Sequence, residues 1–255
     1  MVKGLDLFRR WFAEYADQYV LIGGTAATIA MEEGGLEFRA TKDFDVVLQV
    51  EALSPQFGHI FWEFIQAGGY HIRQASDTGK PAFYRFEKPT DTNFPAMIEL
   101  FSRAPDSLRP IENGTLTPIP FDEAVSSLSA ILLNDDYYTF IIEGRREING
   151  IPWIGEDRLI PLKAIAWLEL SDRKKNGASV DGKDIRKHIN DILRLSQLLS
   201  PTVRIELSEY IARDMKRFIK EATLDSTLDP KTLGLGKITV TGILSRIALA
   251  YGLEF

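Results

Sequence analysis

Asp43-Phe44-Asp45 heads the apolar run Val46-Val47-Leu48, which sets two acids at the start of an expected strand. Side chains of an extended chain alternate between faces, so Asp43 and Asp45 share one side while Phe44 takes the other. A sheet built on this segment needs a core face for the Phe44 ring and an opposite face for two carboxylates. Two carboxylates facing one way repel each other unless a cation lies between them. A strand over 44–50, entered through Thr41-Lys42-Asp43, is expected.

Upstream, the short apolar strand Tyr19-Val20-Leu21-Ile22 runs straight into Gly23-Gly24-Thr25, and helical composition follows over 26–31. Amide N–H groups at a strand-to-helix turn, with a helix N-terminus behind them, form a cradle for phosphate. Glycine lets a ligand approach the backbone closely, and the Thr25 hydroxyl is expected to donate to a phosphate oxygen. No Gly-Lys-Ser/Thr closes the turn, so it is not a Walker loop.

A third acid, Glu99, lies inside the apolar segment Ala96-Met97-Ile98-Glu99-Leu100-Phe101. Such a carboxylate is costly there unless paired, exposed or on a metal. Two acids on one strand and a third on a neighbour suit a two-metal phosphoryl-transfer site. The chain has no cysteine and three histidines. Oxygen ligation by Asp43, Asp45 and Glu99 therefore favours Mg²⁺ or Mn²⁺ over zinc. Arg39 and Thr41, just before the acids, are expected to orient the turn and balance the charge.

The remaining pattern is α+β: a mixed β-sheet core over 1–158, then a helical bundle over 159–255 that contributes basic residues to the cleft. In the core, a first helix is expected over 5–15 and another over 57–66, with strands over 70–74, 82–86 and 97–101. A turn-rich stretch follows over 105–120, then a hairpin of strands 137–142 and 148–154. Helices are expected from Pro161, over 184–199, from Pro201 and over 241–251. No signal peptide or membrane span is visible, and cysteine-free composition suits a reducing cytoplasm, where the Asn113 sequon would stay unmodified. A net charge of −6 argues against a protein that coats nucleic acid, although a local patch of Arg173, Lys174, Lys175, Lys183, Arg186, Lys187 and Arg194 could grip a nucleic-acid end. Lys183, Lys187, Asp191 and Arg194 share one face of their expected helix. Lys163, at the head of a helix whose Ile165, Ala166 and Leu168 look buried, is expected to clamp a triphosphate.

Ile22-Gly23-Gly24-Thr25-Ala26, followed by Arg39-Ala40-Thr41-Lys42-Asp43-Phe44-Asp45, resembles the nucleotidyltransferases typified by AbiEii toxins, within the polymerase-β-like superfamily. The resemblance continues through Glu99, Lys163, Arg173 and Lys187-His188-Ile189-Asn190-Asp191-Ile192, and beyond residue 195 only helical character matches. It implies a mixed-sheet nucleotidyltransferase core, Mg²⁺ dependence and transfer of a nucleotide from an NTP. It makes Lys187 and Asp191 site residues beside Asp43, Asp45 and Glu99, with Gly23, Gly24, Thr25, Arg39, Thr41 and Lys163 on the nucleotide. It also implies the toxin of a type IV toxin–antitoxin or phage-defence pair, with an RNA end as one acceptor and an antitoxin that need not bind it. One departure is the long separation of Gly24-Thr25 from Asp43, which is a mark of the AbiEii-like group. A small-molecule acceptor such as an aminoglycoside, a protein acceptor, and a nucleotide-binding module without turnover are the alternative readings.

Overall fold

In the computed structural model, which describes residues 2–74, 81–103, 116–118 and 129–254, the chain is α+β and divides into two compact units. The first comprises Met1–Ile29 and Arg39–Ile154, and the second Ala30–Phe38 and Gly155–Phe255.

The first unit is built on one mixed sheet. Its strands are β1 (Tyr19–Ile22), β2 (Asp43–Leu48), β3 (His71–Gln74), β4 (Pro81–Glu87), β5 (Met97–Ser102), β6 (Leu116–Pro118), β7 (Ser129–Leu132), β8 (Arg145–Ile148) and β9 (Ile151–Ile154). The order along the main path is β3-β4-β5-β2-β1-β9-β8, with β7 pairing β5 and β6. β2 runs parallel to β5 and antiparallel to β1, which places it at the centre of the sheet.

One face of that sheet carries the core. Phe44, Val46 and Leu48 alternate with the acids of β2 and are fully buried, as are Ile98 and Leu100 on β5. Helices α1 (Leu5–Trp11) and α3 (Pro55–Gly68) supply Phe8, Phe57, Phe61 and Phe64. The Phe8 ring meets Tyr19, Phe44 and Phe64 edge-on at 5.4 Å from each. Edge-to-face rings in this range add to the roughly 1.5–3 kcal/mol that burying each large apolar side chain contributes. α3 starts where Ser54 caps the Phe57 amide and Pro55 takes the first turn, and it stops at left-handed Gly69 (φ 61).

Several expectations need correction. The first helix ends at Trp11, and residues 13–18 form a 3-10 turn. The segment expected as a strand over 137–142 is helix α4 (Asp135–Glu143), capped by Asn134 on the Asp136 amide. Its buried Tyr137, Tyr138, Phe140 and Ile141 fall on one helical face, so the period is that of a helix despite the aromatic and β-branched composition. The hairpin lies further on, β8 and β9 meeting around Asn149-Gly150, both at positive φ. Of the stretch 105–120, 116–118 form β6, and the rest, including the Asn113 sequon, lies outside the described residues.

The second unit holds α5 (Glu156–Lys175), α6 (Gly182–Leu195), α7 (Glu209–Thr223) and α8 (Val240–Ala250). α5 begins five residues before Pro161, rather than at it. Proline inside a helix removes the bond to the carbonyl four residues back. That carbonyl belongs to Asp157, and the Tyr251 hydroxyl donates to it instead at 2.9 Å. Pro201 lies in an irregular segment, and the helix expected there starts at Glu209 under a Ser208 cap on the Ile211 amide. Trp167 of α5 meets Phe218 of α7 edge-on at 5.6 Å. Outside that core, Arg217 spans Asp172 (2.7 Å) and Glu221 (2.8 Å), and Lys175 reaches Glu221 at 3.0 Å. No helix among the described residues is long and apolar enough to cross a membrane.

Candidate active site

The sheet face opposite the aromatic core collects the acids. Register pairs Ile22 with Asp45, Asp45 with Glu99, and Glu99 with Arg85 across four adjacent strands. Residues opposite each other on neighbouring strands point to the same face. Arg85, Glu99 and Asp45 therefore form a row across β4, β5 and β2 that ends where β1 turns into α2 (Gly23–Glu33). Asp43, two residues before Asp45, lies on the same face one step along β2. Asp43 and Asp45 are half-buried, while Glu99 is buried at 9% exposure.

The glycine corner is packed onto this row. Gly23 adopts φ 64, and a Cβ there would fall on the Asp45 carboxylate, so two independent constraints select glycine. A Cβ on Gly24 would lie 2.7 Å from the Thr41 hydroxyl oxygen and 3.6 Å from Arg39 Nη2. Arg39, Thr41, Asp43 and Asp45 are thus drawn against the first turn of α2. The amides of a first helical turn lack intrahelical partners and carry the positive end of the helix dipole, so this corner sets a partial positive charge beside two carboxylates.

Thr25 takes a different role from the one expected. Its side chain is fully buried, and its hydroxyl donates to the Asp43 carbonyl oxygen at 2.9 Å. It fastens the start of α2 to the start of β2.

Glu99 is held on its far side. Arg85 Nε donates to Glu99 Oε1 at 2.6 Å, and Arg85 Nη2 contacts the same oxygen. Sequence reasoning missed Arg85, because nothing local to it reveals that β4 lies antiparallel to β5 with Arg85 opposite Glu99. Among the described residues no group of three or more His, Asp or Glu is arranged to hold a metal ion. The donor chemistry of Asp43 and Asp45 fits a hard divalent cation: half-exposed carboxylates on one face, in a chain without cysteine. Glu99 would join them as a ligand whose charge is shared with Arg85, which contacts its Oε1.

The remaining expected site residues lie in the second unit. Lys163 of α5 and Asp191 of α6 form a buried pair, Nζ to Oδ2 at 2.9 Å, with Asp191 fully enclosed. The buried face of α5 runs through Leu159, Ile160, Lys163, Ala164, Trp167 and Leu168, whereas Ile165 and Ala166, expected in the interior, are half-buried. Lys187 is exposed. The stripe Lys183-Lys187-Asp191-Arg194 therefore passes from solvent into the interior at Asp191. Within the basic patch, Lys175 bonds Glu221, and Arg186 donates to the Thr227 carbonyl at 3.1 Å and its hydroxyl at 2.6 Å.

No family model matches the chain, and no curated protein matches it. Among solved structures, a protein from H. pylori described as a candidate nucleotidyltransferase aligns with 96% of this chain and 89% of its own, at 14% identity and a TM-score of 0.31. A score that low carries no weight for this chain.

Proposed function

We propose that the chain is a nucleotidyltransferase that moves a nucleoside monophosphate from an NTP to an acceptor hydroxyl. The observation that carries this reading is the Asp45 carboxylate occupying the space a side chain on Gly23 would need, with Asp43 and Glu99 on the same sheet face. An anion-attracting helix start and an acidic row in contact suit a substrate that brings phosphates and cations together.

In the reaction the acceptor oxygen forms a bond to the α-phosphorus while the bond from that phosphorus to the β-phosphate oxygen breaks. Pyrophosphate leaves with the bonding electrons. Asp43 and Asp45, joined by Glu99, are the residues that would hold Mg²⁺ or Mn²⁺, which when bound neutralises charge on the triphosphate. The amides of Gly23, Gly24 and Thr25 orient the phosphates, and Thr25 fixes the position of Asp43. Glu99 accepts the proton of the acceptor hydroxyl. Rate enhancement comes from positioning and from charge placed before the reaction begins.

The resemblance to AbiEii-type toxins extends the proposal to an RNA end as acceptor, a toxin role and a genetically linked antitoxin that forms no obligate complex with the protein. For Lys187 as a nucleotide-binding residue and Asp191 as a catalytic one, the resemblance alone is the support; for Lys163 as a triphosphate clamp it adds to the reading of its helix. The test incubates the protein with each labelled NTP, Mg²⁺ or Mn²⁺, and total RNA. Label is expected in RNA with the wild type and nowhere with a folded Asp45→Asn variant. Transfer retained by that variant overturns the proposal. Label in the protein or in a small molecule corrects the acceptor. A second reading, a nucleotide-binding module without turnover, is favoured by the Arg85 grip on Glu99. Nucleotide binding with no labelled product from any NTP would select it.

A further inference from the structure

We infer that Arg85 is a positioning residue that competes with a divalent cation for Glu99, and so sets how tightly the acidic row binds that cation. This rests on the proposed placement of the cation at Asp43 and Asp45. Glu99 stands between a cationic neighbour on β4 and an anionic one on β2, each directly opposite it in register. Attraction to the guanidinium and repulsion from Asp45 act in the same direction, both favouring the Glu99–Arg85 pairing. Both Arg85 contacts fall on one oxygen, Oε1.

Burial makes the pairing stronger than a surface one. The Glu99 side chain is 12% exposed and that of Arg85 26%, so solvent screens them little. A buried carboxylate needs a partner, and Arg85 is a partner of Glu99. A divalent ion at the aspartates offers Glu99 a second counter-charge. It must draw the carboxylate from the guanidinium or share it. Cation affinity is therefore lower than three oxygen-bearing acids alone would give, and the loss is traceable to one arginine.

The experiment measures Mn²⁺ dissociation constants by electron paramagnetic resonance, without nucleotide, for the wild type, Arg85→Gln, Arg85→Lys, Glu99→Gln, Arg85→Gln/Glu99→Gln and Asp45→Asn. Arg85→Gln is expected to bind Mn²⁺ about tenfold more tightly, the scale of one charge-assisted hydrogen bond. Arg85→Lys should fall between it and the wild type. In the Glu99→Gln background the Arg85 substitution should change affinity little, which separates competition for the carboxylate from a general field effect of a nearby positive charge. Unchanged or weaker binding by Arg85→Gln, or the same tightening without Glu99, overturns the inference. Should Arg85→Gln fail to fold by circular dichroism, Arg85→Lys decides, and affinity equal to the wild type overturns it. Absence of Mn²⁺ binding in both wild type and Arg85→Gln, or binding indifferent to Asp45→Asn, overturns the underlying cation placement instead.

Discussion

The Thr25 hydroxyl reaches across from the first turn of α2 to the carbonyl of Asp43, closing a hydrogen bond of 2.9 Å between the glycine corner and the acidic strand. Together with the Asp45 carboxylate packed on Gly23, this bond ties the corner to the acidic strand. Thr25→Val keeps the volume and drops the donor. It should cost about 1–3 kcal/mol in urea unfolding, since a carbonyl is left without its partner. Thr25→Ser, which retains the hydroxyl, should recover most of that. Equal stability for Val and Thr would show that the bond is not formed in solution.

A second bond compensates for a proline. Tyr251 donates to the Asp157 carbonyl that Pro161 leaves without its helical partner, and burial pushes the phenol well above its ordinary pKa, so it remains a donor. Tyr251→Phe should destabilise the fold by about 1–3 kcal/mol. Pro161→Ala restores an amide at the right place, so the tyrosine substitution should cost less in that background. Additive costs in the double-mutant cycle would disprove the compensation.

The Lys163–Asp191 pair offers a test that separates packing from chemistry. Lys163→Met removes the ammonium facing a fully buried carboxylate and should cost about 3–5 kcal/mol. Replacing both members, with Lys163→Met and Asp191→Leu, should regain most of the loss. Nucleotide transfer by the folded double variant then reports a packing role alone, and its loss reports a role in the reaction.

Burial raises the pKa of Glu221, but hydrogen bonds from Lys175 and Arg217 outweigh it and hold the carboxyl below the usual glutamate range. A carboxyl whose folded pKa lies below its unfolded one stabilises the fold above the unfolded value, and that stability disappears as pH falls through the folded value. Wild-type thermal stability should therefore decline on acidification below the ordinary glutamate range. Glu221→Gln should start lower at neutral pH and decline less steeply. Parallel acid limbs for the two proteins would contradict the assignment.

Periodicity and composition made much of the architecture readable. Tyr19–Ile22, the apolar half of β2 and the helical character after residue 160 follow from local pattern. α4 did not, because Tyr137-Tyr138-Thr139-Phe140-Ile141-Ile142 has the composition of a strand, and Asn134, the acidic first turn and the spacing of the buried residues are what betray the helix. The start of α5 was hidden because its proline lies beyond the first turn, tolerated through a hydroxyl ninety-four residues away. At the candidate site, the spacing of Asp43 and Asp45 shows a shared face, while the neighbour relations of Glu99 depend on strand order. Parallel pairing of β2 with β5, and the arginine opposite Glu99, are long-range facts that no short window contains. The buried Thr25 hydroxyl belongs to the same class: its partner became visible only when α2 and β2 were placed side by side.

Tyr251 also gives the helical unit a timing. The residue that satisfies the opening turn of α5 is made almost a hundred positions later, so a ribosome carrying only α5 through α7 displays a helix start with one carbonyl still hydrated. Without Tyr251 that carbonyl is left to water, so a chain cut short before residue 251 should be cleaved by proteases at the head of α5 faster than the full chain.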